Sequence, residues 1–352
     1  ILFISLKNEI RKNAKEIFGF FNNRKVEIRV ISGDNPATVS SIAKQAGIKE
    51  YEKYVDCREL ESYEDIKKAV KKYTVFGRVN PEQKKQIIKA LKELGLKVAM
   101  TGDGVNDILA MKESDCSIAM GSGADVARET AQVVLLDSDF GNMRDIVYEG
   151  RKNINNITRS ASLFTYKNIF SLLLSIYSIV FAMQYPLEPN QVSLGSAFTI
   201  GIPAFLLTFE ENQKKQQNGD FLIKVFTDSL PAAITSFLAI VAMVGFSILF
   251  NVGEQEITTA CSYLFFTGGF LILYKIIRPL NKYRASVMAL CILGILLTIN
   301  IMPNFFAIKE ISGRATALVT LFAIAEFALI RWITLILEKF KRNKKESAVK
   351  YW

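Results

Sequence analysis

The sequence predicts an α/β domain built on a parallel sheet, followed by an all-α bundle of six transmembrane helices. Residues 1–145 alternate short β-branched runs with helical patterns, as is typical of a parallel sheet wrapped by helices. Residues 146–352 contain repeated apolar runs of about 20 residues, each long enough to cross a hydrocarbon core of about 30 Å. We therefore expect two domains, 1–145 and 146–352, of which the second lies in a lipid bilayer.

The strands and helices of the first domain can be placed in order. The first strand is predicted at 26–31, and Val39, Ile42 and Ala46 then recur at helical spacing until Gly47 ends the helix. Further strands are predicted at 73–76, 97–100, 116–119 and 133–136, and further helices at 81–95 and 124–130. Since ligands bind at the carboxyl ends of parallel strands, the polar turns after these strands are the candidate sites.

The turn after the strand at 97–100 reads T-G-D-G-V-N-D-I-L-A-M-K from Thr101 to Lys112. Its glycines allow the backbone to approach a ligand closely, and Asp103 and Asp107 supply hard oxygen ligands. This segment predicts a Mg²⁺ site beside a phosphate, with a solvated acidic turn as the alternative.

Two further polar residues lie at predicted helix starts. Ser32 follows the first strand, where its hydroxyl can donate to a phosphoryl oxygen or merely cap the next helix. Lys84 can neutralise a transferring group, or it belongs to a cationic surface with Lys85 and Lys89. Together with the acidic turn, these residues predict phosphoryl chemistry.

The composition excludes several classes of site. The chain has no histidine, which removes imidazole catalysis and histidine-ligated zinc. Its four cysteines, at 57, 116, 261 and 291, are far apart, so we expect neither a disulfide framework nor a thiolate metal site. The net charge of +10 comes largely from basic residues at the ends of the apolar runs, so we expect no nucleic-acid partner.

Five motifs follow one another in a fixed order and spacing. They are S-G-D-N-P-A-T at 32–38, G-R-V-N-P-E-Q-K at 77–84, T-G-D-G-V-N-D at 101–107, S-I-A-M-G-S-G-A-D-V-A at 117–127 and E-G-R-K-N-I-N-N at 149–156. In this the chain resembles the P-type ATPases, whose phosphorylation domain has the haloacid-dehalogenase-like, Rossmann-like fold. The resemblance implies a translocase that couples ATP hydrolysis to ion transport and uses Mg²⁺ and ATP.

The resemblance also implies six catalytic residues in the first domain. Those at the phosphorylation site or in contact with the phosphoryl group would be Ser32, Asp34 and Lys84. Those that organise Mg²⁺ and the hinge would be Asp103, Asn106 and Asp107, with the two aspartates as metal ligands.

The nucleophile of the family is absent from this chain. In relatives it is the aspartate of a D-K-T-G sequence, and here no aspartate precedes a lysine. The actuator domain, the nucleotide-binding domain and the first four membrane helices of the family are also absent. We therefore expect the C-terminal part of a bacterial pump, inactive alone, whose partner is the missing N-terminal part of the same protein.

Six apolar runs are expected to cross the membrane, the first as the continuation of a helix from Asn142. They lie at about 160–183, 192–209, 231–250, 257–277, 285–302 and 315–337. Lysines and arginines number three at 210–229, four at 275–284 and six at 338–352, whereas 184–191, 251–256 and 303–314 hold none, none and two. This positive-inside bias predicts a multi-pass protein of the bacterial plasma membrane, with the first domain and the C-terminus in the cytosol.

By the same resemblance, the first two runs correspond to the fifth and sixth membrane helices of the family. In cation pumps these helices supply oxygen ligands around a segment that is unwound at a proline. The candidate transport residues are Tyr166, Lys167, Asn168, Ser171, Ser196, Thr199 and Pro203. Calcium and sodium pumps carry an acidic residue where this chain has Ile200.

Two charged residues inside the runs are unusual, because a charge at the centre of a membrane helix costs about 2.5–3.5 kcal/mol. Lys167 either reaches the cytosolic interface or serves as a countercharge inside the transport site. Glu326 either pairs with Arg331 or contributes to a pathway, and local pairing is the expectation.

Three functions remain open. The first is a cation pump, with calcium as the first choice and magnesium or another hard ion next. Soft metals are disfavoured because Cys261 and Cys291 lie outside the first two runs. The second is a lipid flippase, which Lys167 would suit. The third is a non-catalytic membrane protein that keeps the phosphate-site fold, and an in-frame D-K-T-G sequence upstream of Ile1 would exclude it.

Overall fold

The computed structural model describes residues 10–349, apart from 12, 211–220, 250 and 251. The chain separates into two compact units, Ile1–Tyr148 and Glu149–Trp352. The strands described in the first unit are β1 (Val30–Ile31), β2 (Tyr54–Asp56), β3 (Val75–Gly77), β4 (Ala99–Gly102), β5 (Cys116–Met120) and β6 (Val133–Leu135). Its helices are α1 (Ala14–Asn22), α2 (Pro36–Ala46), α3 (Tyr63–Lys72), α4 (Pro81–Glu93), α5 (Ile108–Glu113) and α6 (Asp125–Thr130).

The strands pair in parallel, as predicted, but they form two three-stranded sheets where one was expected. The first has the order β1–β3–β2, with Val30 opposite Val75, and the second has the order β4–β5–β6, with Ala99 opposite Cys116. Among the described residues, β1 and β4 each pair on one side only. Each strand therefore leaves a row of main-chain groups open along its other edge.

The two sheets share their hydrophobic core although they are not hydrogen-bonded to each other. Ile31 in β1 and Val98 just before β4 both pack against the cluster that contains Phe76. The same two residues also pack against the cluster that contains Met100 and Ala119. The open edges of β1 and β4 thus lie against a common core.

The early part of the first unit departs from the prediction. β1 covers only the last two residues of the predicted strand at 26–31, because only these two pair with β3. β2 was not predicted, since three residues are too few for an alternating pattern to be recognised. α3 was also missed: it is rich in lysine and acidic residues and buries only Ile66, Ala69 and Val70.

The second unit consists of long helices. Its main helices, the first of which begins in the first unit, are α7 (Met143–Val180), α8 (Pro189–Ser196), α9 (Ile202–Leu207), α10 (Phe221–Leu249), α11 (Glu254–Ile276), α12 (Lys282–Ile301) and α13 (Gly313–Val349). Six helical segments of the described residues are long and apolar enough to cross a membrane, with α8 and α9 together forming one of them. The start of α7 agrees with the predicted continuation from Asn142. The fold class, a partial α/β domain followed by a bundle of six membrane helices, is confirmed.

α10 begins before the predicted run at 231–250, because Pro231 lies inside the helix and not at its start. A proline inside a helix leaves the carbonyl group four residues earlier without its N–H partner. Here that carbonyl belongs to Thr227, and the Lys275 ammonium on α11 lies 3.4 Å from it and 3.2 Å from the carbonyl oxygen of Asp228. The lysine therefore satisfies the main chain near the proline, and the helix continues.

A buried ion cluster joins three segments of the second unit. Glu210, just beyond α9, accepts hydrogen bonds from Arg159 on α7 at 2.9 Å and from Arg284 on α12 at 2.8 Å. Asn281 adds a further donor at 2.7 Å. Burial alone would raise the pKa of Glu210, but these hydrogen bonds outweigh burial and hold that pKa below its usual value.

Candidate functional site

An ion pair between Lys84 and Asp107 links α4 to the turn after β4. Lys84 donates to Oδ1 of Asp107 at 2.7 Å, and the two side chains are 13% and 11% exposed. The neighbouring Lys85 side chain is 40% exposed and pairs with Glu82. The alternative reading of Lys84, as one member of a cationic surface, is therefore wrong.

Asp107 folds back over the turn that contains it. Its Oδ2 atom accepts from the main-chain N–H groups of Asp103 and Gly104, each at 3.4 Å. A Cβ atom on Gly102 would lie 2.5 Å from the Cβ atom of Asp107, so this close approach requires glycine at the end of β4. The side chains of Asp103 and Asn106 are exposed, whereas Asp107 is buried.

The turn after β1 is tied to the segment that leads into α4. The Ser32 hydroxyl oxygen accepts from the Asp34 N–H group at 3.1 Å. The carbonyl oxygens of Asp34 and Ser32 in turn accept from the N–H groups of Arg78 at 2.8 Å and Val79 at 3.0 Å. The residue that caps α2 is Asn35, so the alternative reading of Ser32 as a helix cap is wrong.

The turns after β1, β3 and β4 therefore form one connected set of polar groups: a hydroxyl, an ammonium and carboxylates. Among the described residues, no three histidine, cysteine or acidic side chains cluster as a metal site. Asp103 and Asp107 would therefore supply two ligands to Mg²⁺, and water and phosphoryl oxygens would supply the others. This donor set fits Mg²⁺, which keeps several waters and is commonly held by one or two carboxylates, and the ion would supply positive charge beside a phosphoryl group.

The cysteines are free thiols, and most of them are buried. All four are free, and Cys57, Cys261 and Cys291 are fully buried. Burial raises the pKa of the Cys57 thiol to about 12, so this side chain is a neutral part of the core near pH 7.

The candidate transport residues of α7 lie on different faces of that helix. Tyr166 is fully buried and its ring stacks on Phe170 and Phe265. Lys167 and Ser171 are half-buried, and Asn168 is exposed within this chain. Both interpretations of Lys167 remain predictions.

A π-helical turn, Ala197–Gly201, joins α8 to α9 where an unwound segment was expected. Pro203 is buried and has no N–H group to donate to this turn, so the wider π turn keeps the chain helical here. The Thr199 hydroxyl donates to the Gly195 carbonyl at 2.7 Å. Among the described atoms, the buried hydroxyl of Ser196 has no hydrogen-bond partner, which leaves its oxygen available to a ligand.

The predicted pairing of Glu326 with Arg331 is wrong. Glu326 on α13 is fully buried, and neither carboxylate oxygen has a hydrogen-bond partner among the described atoms. Arg331 is exposed. Residues three or four apart share one face of a helix, whereas residues five apart do not.

Comparisons with known proteins bear on both units. A family model described as a haloacid dehalogenase-like hydrolase matches residues 1–115. The "Probable cation-transporting ATPase exp7" of Streptococcus pneumoniae is 38% identical over 317 residues, which cover 88% of this chain and 40% of that protein. The "Calcium-transporting ATPase CtpE" of Mycolicibacterium smegmatis is 32% identical over 346 residues, which cover 93% of this chain and 43% of that protein. The chain belongs to the P-type ATPase family.

The chain spans about two fifths of the length of these two curated relatives. A "Calcium-transporting ATPase" of Bacillus subtilis is 34% identical over 207 residues, which cover 58% of this chain and 23% of that protein. As a member of the P-type ATPases with six membrane-competent helices, the chain is a multi-pass membrane protein.

The Glu210 cluster and Ser236 on α10 were not predicted. Glu210 follows the second apolar run and Arg284 precedes the fifth, so the sequence places both charges at run ends but does not show that these ends meet. Ser236 is fully buried inside an apolar run, and nothing in the sequence distinguishes it from other small residues there.

Proposed function

We propose that this chain is the C-terminal part of an ATP-driven pump that moves a cation across the membrane. In this proposal the transferred phosphoryl group is carried by an aspartate outside the chain. The turns after β1, β3 and β4 supply the surrounding groups, and the second unit supplies the transport site.

The observation that supports this proposal is that β1 and β4 each have an open edge among the described residues. β1 and β4 each pair on one side, and they lead directly into the turns of Ser32 and Asp103. A further parallel strand between them would end beside both turns, since parallel strands present their carboxyl ends at one edge of a sheet. We infer that this strand carries the phosphorylated aspartate.

The residues around that position have distinct roles in the proposal. Lys84 contacts the phosphoryl group with its ammonium and is held in place by Asp107 at 2.7 Å. The exposed Asp103 carboxylate and Asp107 bind Mg²⁺. The Ser32 hydroxyl, which in the structure donates to Oδ2 of Asp34 at 3.4 Å, donates instead to a phosphoryl oxygen, while its own oxygen keeps the turn in place by accepting from the Asp34 N–H group.

The transported ion is proposed to be calcium, with magnesium or another hard cation as the next choice. Two relatives are named as calcium-transporting ATPases. The Ser196 hydroxyl, unpartnered among the described atoms, comes just before the π-helical turn that contains the buried Thr199, and oxygen ligands of this kind suit hard cations. The orientation proposed is the one predicted from charge, with the first unit and the C-terminus in the cytosol and the helices in the plasma membrane.

The test uses the whole pump that contains this chain, reconstituted in lipid vesicles. ATP hydrolysis is measured as single ions or phospholipids are added. Stimulation by low calcium is expected, and stimulation by phospholipid alone would indicate a lipid flippase instead. A gene without an in-frame D-K-T-G sequence upstream of this region would point to the non-catalytic alternative.

Matched variants test the site assignments within the same pump. Asp103→Asn is expected to abolish Mg²⁺-dependent phosphorylation, whereas Asp137→Asn, at an exposed aspartate after β6, should leave it unchanged. Ser196→Ala is expected to raise the ion concentration for half-maximal ATPase activity. Ser193→Ala, on the exposed side of α8, is its control. Equal behaviour of each variant and its control would contradict the assigned role.

A further inference from the structure

Glu326 is a buried carboxyl group that the proposed pump site does not use. It lies on α13 with no exposed surface, and neither of its oxygens has a hydrogen-bond partner among the described atoms. Buried charged groups are normally paired, and an unpaired carboxylate in such a place costs several kcal/mol. The group therefore requires a ligand that removes its charge.

Two hydroxyl groups from other helices lie beside this carboxyl group. Ser236 on α10 faces the Glu326 carboxyl, and the Tyr166 phenol on α7 interacts with it electrostatically. Both residues are fully buried, and their oxygens are 3.2 Å apart, so that either can donate to the other. The Tyr166 hydroxyl also lies 3.4 Å from the Phe265 carbonyl oxygen on α11, to which it can donate.

The packing leaves little more room than the hydroxyl pair needs. A Cβ atom on Gly268 of α11 would overlap the Ser236 hydroxyl and lie 2.8 Å from that of Tyr166. The missing side chain at Gly268 thus makes the space that the two hydroxyls occupy.

No positive charge compensates Glu326 within the described residues. The helices packed against α13 are α10 and α11, and their charged residues lie near the helix ends: Lys224, Asp228, Glu254, Glu256 and Lys275. Of these, Asp228 and Lys275 lie 3.8 Å from each other. The groups that act on the Glu326 carboxyl are the Ser236 hydroxyl and, from α7, the titratable phenol of Tyr166.

We propose that Glu326 is a proton-binding site of the second unit, formed with Ser236 and Tyr166. One carboxylate oxygen takes a proton from a hydronium ion, so that an O–H bond forms, water is released and the side-chain charge goes from −1 to zero. The neutral acid then donates to Ser236, Ser236 donates to Tyr166, and Tyr166 donates to the Phe265 carbonyl. When the proton leaves, Ser236 donates to the carboxylate and Tyr166 donates to Ser236.

The ligand geometry favours a proton over a metal cation. Calcium takes about six to eight oxygen ligands, and magnesium requires an octahedral shell. The groups that act on the Glu326 carboxyl are two hydroxyls, those of Ser236 and Tyr166, which lie within hydrogen-bonding reach of each other. A proton needs only the one acceptor oxygen that the carboxylate supplies.

The test follows the carboxyl group directly by infrared spectroscopy of the 352-residue chain in lipid nanodiscs, and it needs no ATP hydrolysis. Near neutral pH, the wild type is expected to show the carbonyl band of a protonated carboxylic acid. Glu326→Gln should lose one such band, and Glu310→Gln, at an exposed glutamate, should lose none. Identical spectra for the wild type and Glu326→Gln would overturn the proposal.

A second variant leaves the carboxyl group in place. Ser236→Ala removes the acceptor of the acid O–H, so the carbonyl band should move to higher frequency, and an unchanged band would also overturn the proposal. Loss of the wild-type band on adding sodium, potassium or calcium at constant pH would show that the site binds a metal cation instead. If Glu326→Gln does not fold, the band shift in Ser236→Ala tests the proposal by itself.

Discussion

Replacing Glu210 with glutamine should strongly destabilise the second unit. Glu210 is the only carboxylate among the described residues of a cluster that also contains Arg159 and Arg284. The three side chains are 9%, 10% and 6% exposed, and the two arginines are close enough to disfavour each other's charge. Removal of the glutamate charge therefore leaves the two buried guanidinium groups without a counterion among the residues that the structure describes.

The size of this effect follows from the burial of the cluster. Breaking a buried ion pair by removing one partner costs about 3–5 kcal/mol, because the remaining charge stays out of water. Arg159→Gln leaves Glu210 still paired with Arg284, so we expect a smaller loss of about 1–3 kcal/mol. The more specific expectation is that Glu210→Gln loses more stability than Arg159→Gln.

Thiol labelling measures this loss in the second unit itself. Cys261 and Cys291 are fully buried there and react only when the helices open. Since about 1.4 kcal/mol corresponds to a tenfold change in an equilibrium, Glu210→Gln should label both thiols at least about 100-fold faster, as read by mass spectrometry. Glu310→Gln is the control at an exposed site. Labelling no faster for Glu210→Gln than for Arg159→Gln would refute the reasoning.

The same cluster predicts a pH dependence with a defined sign. Folding lowers the pKa of Glu210, so its contribution to stability is complete above the usual glutamate pKa of about 4.3 and is lost as the pH falls through the lower folded value. The thiolate fraction falls equally in both proteins on acidification, so the ratio of the wild-type labelling rate to that of Glu210→Gln should rise as the pH falls through this range.

Three further substitutions test other contacts. Lys84→Met removes the donor to Asp107 and should cost the first unit about 1–3 kcal/mol in thermal unfolding, with Lys85→Met as an exposed control that changes little. Gly268→Ala should destabilise the second unit by about 1–3 kcal/mol, because the added methyl group overlaps with the hydroxyls of α7 and α10. Gly245→Ala is the control and should change little, since its methyl group meets nothing within 4 Å. Lys275→Met leaves the Thr227 carbonyl, which Pro231 cannot bond, without its donor and should cost about 1–3 kcal/mol, again by thiol labelling. An unchanged labelling rate would mean that water satisfies this carbonyl.

The sequence predicted the fold class and the six membrane helices because long apolar runs and β-branched runs carry strong local signals. It placed the start of α10 at Pro231, since prolines are common in the first turn of a helix. α10 instead begins at Phe221, and the Thr227 carbonyl that the proline leaves free accepts from Lys275 on another helix. Contacts of this kind between distant residues are not visible in a local pattern.

The candidate phosphoryl site was predicted by residue type, but its internal arrangement was not. Motif spacing identified Lys84 and Asp107, whereas their mutual ion pair and the burial of Asp107 depend on how the strand ends meet. For Glu326, the sequence suggested the wrong partner. Sequence proximity suggested Arg331 as its partner, and helical geometry instead turns the carboxyl group towards hydroxyls on α7 and α10.

The open edges of β1 and β4 have a consequence for handling this chain by itself. An unpaired strand edge offers its N–H and carbonyl groups to any other extended chain. Two such edges lie against one core in the first unit, so separately expressed molecules should associate edge to edge as their concentration rises. Stability measurements on the separate chain are therefore best made at low protein concentration, with the state of association checked by light scattering.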